Sequence, residues 1–207
     1  WNTAQTITIT GVDDSIDDGD ITTTLTATAN NAGGYAGTES ATTTAKNTDD
    51  DTNGVTIAQT RTTDGSGNLL TTEAGSTTTF TVVLDAAPTA DVTVSITGLD
   101  ATENSLSGST LSGTNTLTFN AGNWNTAQTV TVTGVDDSIV DGDITTTLTA
   151  TANSAGGYSG ESTTTTVKNT DDDTNGITIA QTGTTDGSGN LLTTEAGSTT
   201  TFTVVLD

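Results

Sequence analysis

The 207-residue chain has no histidine, no cysteine, no methionine and one proline, and it carries only three basic side chains against 26 acidic ones. Each shortage removes a class of chemistry. Without His or Cys, the usual zinc sites, thiolate nucleophiles, Ser/His/Asp triads and haem or iron–sulfur ligation are excluded. A formal net charge of −23 repels the phosphate backbone and anionic lipid, so no nucleic-acid partner is expected. No apolar run approaches the roughly 20 residues that span a bilayer, so no membrane insertion is expected either. No basic-then-apolar leader is visible, and a start at Trp1 rather than Met reads as a processed or excised piece. Lack of cysteine fits cytosolic and secreted proteins alike. What such a chain attracts is cations.

Low apolar content (30%) with one-sided charge is, by composition, the disordered corner of sequence space. Pattern contradicts it. Apolar residues alternate with polar ones in Phe80, Val82, Leu84; in Val92, Val94, Ile96; in Val130, Val132; and in Leu148, Ala150, Ala152. Period-two alternation in Thr/Val/Ile-rich stretches predicts half-buried strands. Within one unit the strands fall at 55–59, 69–73, 77–84, 91–97, 116–119, 128–134, 144–152 and 163–169, and no segment reads as a helix. Seven or eight short strands with Gly/Asn/Asp/Ser turns predict an all-β, antiparallel, immunoglobulin-like sandwich.

The chain also repeats itself. Residues 1–30 recur as 124–153, an offset of 123. After a one-residue deletion, 46–60 and 71–85 recur as 168–182 and 193–207, an offset of 122. A period of about 122 residues is a domain-sized module rather than a solenoid coil. The frame that follows has residues 1–51 as the last strands of one sandwich, 52–173 as a complete one and 174–207 as the first strands of the next. Neither end piece can bury a core alone. The chain is therefore expected either to belong to a longer tandem array or to meet neighbouring copies by strand complementation, and the sequence leaves both open.

Acids are segregated into loops. Residues 74–84, 104–135 and 144–160 carry no charge, whereas Asp clusters fall at 12–20, 135–143, 49–51 and 171–173. Alternate connections of a sandwich share an end, so Glu73, Asp100, Asp136, Asp137, Asp141, Asp143, Asp171, Asp172 and Asp173 are expected to converge at one pole. Close like charges raise one another's pKa values, and hard divalent cations relieve this. An all-oxygen donor set suits calcium, which takes 6–8 oxygens flexibly, better than magnesium. Asp49, Asp51, Asn53 and Gly54 spell the first half of an EF-hand loop, but its twelfth position is Thr60 and no helices flank it, so an EF-hand is rejected. Against the metal stands the plain reading of solvated Asp/Gly turns. Asp64 and its counterpart Asp186 read as ordinary loop residues.

These residues resemble the Calx-β domain of sodium/calcium exchangers, which recurs in tandem in bacterial surface adhesins. The resemblance rests on Glu-Ala-Gly at Glu73, the Leu117/Phe119 strand followed by Gly122 and Trp124, the strand ending in Asp136-Asp137, and the closing Asp run. It implies several calcium ions at the domain end, held by Glu73, Asp136, Asp137, Asp141, Asp143 and Asp171 to Asp173, with Asp100 beside them. In the N-terminal copy the matching acids are Asp13, Asp14, Asp18, Asp20 and Asp49 to Asp51, and Glu195 opens the next unit. Asp17 is replaced by Val140 in the other copy, which argues against a ligand role there.

The expectation is an extracellular, cell-surface structural protein: repeats stiffened by calcium at each junction into a stalk or filament for adhesion or biofilm matrix. The competing reading is a binding module that meets a glycan, ice or another surface through Thr-rich strands or loops. Threonine, 58 residues of the chain, is explained more simply as a β-branched polar filler of solvent-facing strand positions. An enzyme is not expected, because 3% aromatic residues in repeated modules offer no platform beside a carboxylate pair.

Overall fold

The computed structural model describes residues 2–61 and 63–206; Trp1, Thr62 and Asp207 lie outside it. Thirteen strands run in chain order: β1 (Ile21–Thr28), β2 (Ser40–Asn47), β3 (Val55–Gln59), β4 (Leu69–Thr72), β5 (Thr77–Leu84), β6 (Val92–Thr97), β7 (Asn104–Ser107), β8 (Thr116–Phe119), β9 (Gln128–Gly134), β10 (Ile144–Ala152), β11 (Ser162–Thr170), β12 (Ile177–Gln181) and β13 (Phe202–Leu206). The described residues contain no helix, and hence none long and apolar enough to cross a membrane.

β3 to β11 form two sheets around one core. One has four strands in the order β3-β5-β9-β7, the other five in the order β4-β11-β10-β6-β8. Alternation does what the pattern requires: along β5 every second residue is buried, and Phe80 and Val82 meet Val130 and Val132 of β9 and Val92 and Val94 of β6 in a single apolar cluster. Phe119, Leu117, Leu69, Leu148 and Val167 complete it, all essentially without exposure. Burying a side chain of this size contributes roughly 1.5–3 kcal/mol, so the core carries the stability that the charged loops oppose.

All eight predicted strands agree to within a residue at each end, β4 being one residue shorter than expected. Two features depart from the expectation. β7 was not anticipated, because Asn104–Ser107 holds a single apolar residue, Leu106, and forms only as an edge strand on β9. The sheets are not wholly antiparallel either: β4 leaves the sheet of its neighbours β3 and β5 and joins the other at its edge, parallel to β11.

At both ends of the chain stand two-stranded antiparallel sheets, β1-β2 and β12-β13, in which no residue is buried. Their sequences copy β10-β11 and β3/β5, yet residues 5–11, which copy β9, form no strand. Identical patterning thus gives a buried strand where both neighbours exist and an open segment where they do not.

Candidate metal centre

Strand register explains which acids meet. Thr72 of β4 lies beside Thr170 of the parallel β11, so both strands run out together, one into Glu73 and the other into Asp171. The Glu73 N–H donates to the Thr170 carbonyl at 3.2 Å. On the opposite sheet Asn104 of β7 pairs with Gly134 of β9, so Glu103 precedes and the acidic loop 135–143 follows at the same end. The Val135 N–H donates to the Glu103 carbonyl at 2.8 Å. Gly134 lets the two ends close up: a Cβ there would lie 2.1 Å from the Thr72 carbonyl oxygen and 2.6 Å from Asn169 Oδ1.

Three groups of carboxylates result, each with oxygens within 4.8 Å of one another: Glu73 with Asp136 and Asp172, Glu73 with Asp171 and Asp173, and Glu103 with Asp137 and Asp141. Glu73 is only 2% exposed and Glu103 4%. The Glu73 Oε2 accepts the Asp172 N–H at 3.3 Å, and the Glu103 Oε2 accepts Asn169 Nδ2 at 3.3 Å. Burial, and then the charges of Asp171, Asp137 and Asp173, push the Glu73 carboxyl up, against the Asp172 N–H that lowers it. Asp173 is raised for the same reasons, by burial first and then by Asp171 and Asp172. Its Oδ2 is buried without a hydrogen-bond partner.

Backbone amides hold the loops in this arrangement. Asp171 accepts the N–H groups of Gly142 (2.7 Å) and Asp173 (2.8 Å), and Asp137 accepts that of Ile139 (2.7 Å). Among the described residues no basic side chain pairs with these groups: the ion pairs are Lys168–Asp143 and Lys46–Asp20.

Of the residues expected at this pole, Glu73, Asp136, Asp137, Asp141 and Asp171 to Asp173 come together. Asp100 and Asp143 do not join the groups. Asp100 closes a turn, accepting the N–H (3.1 Å) and hydroxyl (2.7 Å) of Thr102, which lower its pKa. Asp143 is held by Lys168 at 2.5 Å, which depresses its carboxyl. Glu103 was missed in the sequence. The signal was three positions away, in an Asp–Glu pair flanking a turn, but only the unforeseen β7 aims the glutamate at the pole.

In the N-terminal copy, Asp13, Asp14, Asp18 and Asp49 to Asp51 line a depression of about 300 Å³ with Asn47 and Gly11. Asp51 is raised there by burial and by Asp49, Asp50, Asp13 and Asp14. Asp20 is engaged by Lys46, its main cause of a lowered pKa, and also accepts the Asp49 N–H at 3.0 Å. Asp49 in turn accepts the Gly19 N–H at 2.6 Å. Among the described residues none of these acids forms a group of three within bonding reach of a common ion. Glu195, its copy, is exposed and stands apart from every group.

The Asp-Asp-Asp-Thr-Asn-Gly segment at 49–54 also takes part in the joint with the following repeat. The Asn53 N–H donates to the Asp17 carboxylate at 2.9 Å, its Nδ2 to the Gly157 carbonyl at 3.2 Å, and the Ala87 N–H donates to the Ser15 carbonyl at 2.6 Å. Asp17 therefore fastens the N-terminal copy to the following repeat, a task Val140 cannot perform in the second copy.

No protein-family model matches the chain, and a search of curated proteins finds no relative.

Proposed function

We propose that the pole built by Glu73, Glu103, Asp136, Asp137, Asp141 and Asp171 to Asp173 is a calcium centre, and that calcium stiffens a Calx-β-like extracellular repeat into a stalk or filament. The observation that carries the reading is the burial of Glu73 among four aspartates with no basic partner among the described residues. A buried carboxylate without counter-charge is costly, and two of the three groups share this one side chain. The donor set fits the ion: every group is oxygen-only, Asp173 Oδ2 lacks a hydrogen-bond partner, and several ligands sit on one adaptable loop.

When bound, calcium would supply positive charge and adaptable ligation by several oxygens, tying the exits of β4, β9 and β11 together. The protein's own part is to present the carboxylates. The parallel β4–β11 register aligns Glu73 with the Asp run, the β7–β9 register aligns Glu103 with the 135–143 loop, and amides fix Asp171 and Asp137. Because Asp171 to Asp173 lead directly into the segment before β12, ordering them restrains the exit from the repeat. In a tandem array this converts net repulsion between repeats into a fixed angle, which is what a length-setting surface protein needs.

Small-angle scattering in calcium and in excess chelator tests this. The expected result is a longer, narrower particle with calcium. Identical profiles, together with no calcium uptake by calorimetry, would sink the reading.

A further inference from the structure

Beneath the acids of the middle repeat lies a buried layer of neutral polar side chains. Thr71 is fully buried, and Asn104 and Asn169 are 1% exposed. Strand register gathers them from both sheets: Asn169 of β11 faces Thr71 of the parallel β4, and Asn104 of β7 faces Gly134 of β9. Each stands one or two positions from an acid of the pole, Thr71 before Glu73, Asn169 before Asp171, Asn104 after Glu103 and Gly134 before Asp136. The layer therefore joins the four strand ends that carry the acids.

Asn169 is its centre. Its Nδ2 donates to Glu103 Oε2 at 3.3 Å and to the Val135 carbonyl at 3.2 Å, and its Oδ1 accepts the Thr71 hydroxyl at 3.0 Å. The Thr71 hydroxyl, with one proton to give, is shared with Asn104 Oδ1, also at 3.0 Å. A buried amide is costly unless its polar atoms are bonded, and every donor and acceptor of Asn169 is matched by a group at the floor of the pole.

The first copy repeats the arrangement with one part missing. Asn47, the copy of Asn169, donates from Nδ2 to the Val12 carbonyl at 2.9 Å. A Cβ at Gly11 would lie 2.5 Å from Asn47 Oδ1, as one at Gly134 would lie 2.6 Å from Asn169 Oδ1. No residue of the chain corresponds to Glu103 there. The bond to the valine carbonyl and the glycine beside the amide are thus the constant parts that fix it, and a carboxylate is what the fixed amide holds in the complete repeat.

We propose that Asn169 is the positioning residue of the Glu103 group: its amide holds the Glu103 carboxylate in one orientation toward an ion shared with Asp137 and Asp141, and through Thr71 it fixes that orientation to the strand that carries Glu73. The proposal rests on the calcium reading above. Removing a buried partner that orients a metal ligand typically costs about 10–100-fold in affinity.

Titration calorimetry with calcium chloride tests it. Asn169→Ala is expected to weaken one ion roughly tenfold or more and to leave the ions on Glu73 unchanged. Thr71→Val should weaken the same ion by less, and Thr71→Ser, which keeps the hydroxyl, should bind as the native chain does. Asn153→Ala controls for stability alone, since Asn153 accepts the Thr93 N–H at 3.1 Å at the far end of β10; it should lower the melt without moving any ion. In chelator, the Asn169 side-chain amide protons of the native chain should exchange far more slowly by nitrogen-15 spectra than those of exposed Asn125. Equal exchange at the two would overturn the hold on Glu103 whether or not calcium binds. Uptake that Asn169→Ala leaves unchanged, or that falls alike at every ion and in Asn153→Ala, would overturn the proposal and leave the calcium reading standing. No uptake by the native chain would overturn both.

Discussion

Replacing Glu73 by glutamine should change stability in opposite directions with and without calcium. Glutamine keeps an acceptor for the Asp172 N–H and removes one charge from two of the three carboxylate groups. In the metal-free protein that charge is held in a buried, acid-lined place which pushes its pKa up, so its loss raises the melting temperature at neutral pH. In calcium the loss falls on the ligand common to two ions. At an ion concentration about a hundredfold above Kd, each bound ion adds roughly 2.7 kcal/mol, so two add about 5 kcal/mol. For a repeat of this size, about 4 °C per kcal/mol turns that into a deficit of roughly 20 °C relative to the native chain. Scanning calorimetry of both proteins, in millimolar calcium and in chelator, provides the four melting temperatures. Parallel shifts of the two proteins, or a native melt indifferent to calcium, would refute the reasoning.

Three other outcomes follow from the same geometry. Calorimetric titration should find one ion fewer after Glu103→Gln and the full number after Asp100→Asn, since Asp100 only closes the turn at Thr102; equal losses would misplace both residues. For pH the sign is set by raised carboxyls. The folded protein holds protons on Glu73 and Asp173 that the unfolded chain has released, so metal-free stability falls as pH rises from near 4.5, the ordinary glutamate value, through the raised values. In chelator the urea midpoint of Glu73→Gln should therefore gain on that of the native chain as pH rises through the acid part of the range 4 to 8 and then hold its lead, the comparison cancelling the opposite contribution of the lowered carboxyls of Asp100 and Asp143; a lead that shrinks there would contradict the assignment. Asp17→Val, which writes the residue of the second copy into the first, should speed hydrogen exchange at the Asn53 amide by roughly fivefold or more, while unchanged exchange would show that the Asp17 bond does not hold the junction.

How far the sequence could be read depended on whether a residue's role is local. Alternation in β5, β6, β9 and β10 is a property of the chain itself, and those strands were legible to within a residue. β7 was not, since Asn104–Ser107 owes its conformation to the edge of β9. Its omission hid Glu103, whose place at the pole is a consequence of that pairing. The Asp clusters were legible as loops that converge, but spacing cannot say which acids a lysine takes away. Lys168 sits opposite Thr145 on β10 and reaches Asp143, two residues before it, while Lys46 does the same to Asp20 in the copy. Asp17 shows the converse: its absence from the second copy argued against a ligand, and its contact with Asn53 gives it a linking role that only the fold reveals. The ends carry the plainest lesson, for residues 5–11 and 128–134 share one pattern and differ in structure because only the latter has neighbours.

The role proposed for buried Glu73 is that of a calcium ligand rather than an acid stranded in a tight turn. Diffraction from crystals grown in calcium tests it most directly. Strong density is expected about 2.3–2.6 Å from a Glu73 carboxylate oxygen, shared with oxygens of Asp136 or Asp171 to Asp173, and gone in chelator. A Glu73 carboxylate that touches only the Asp172 amide and water in saturating calcium would contradict it.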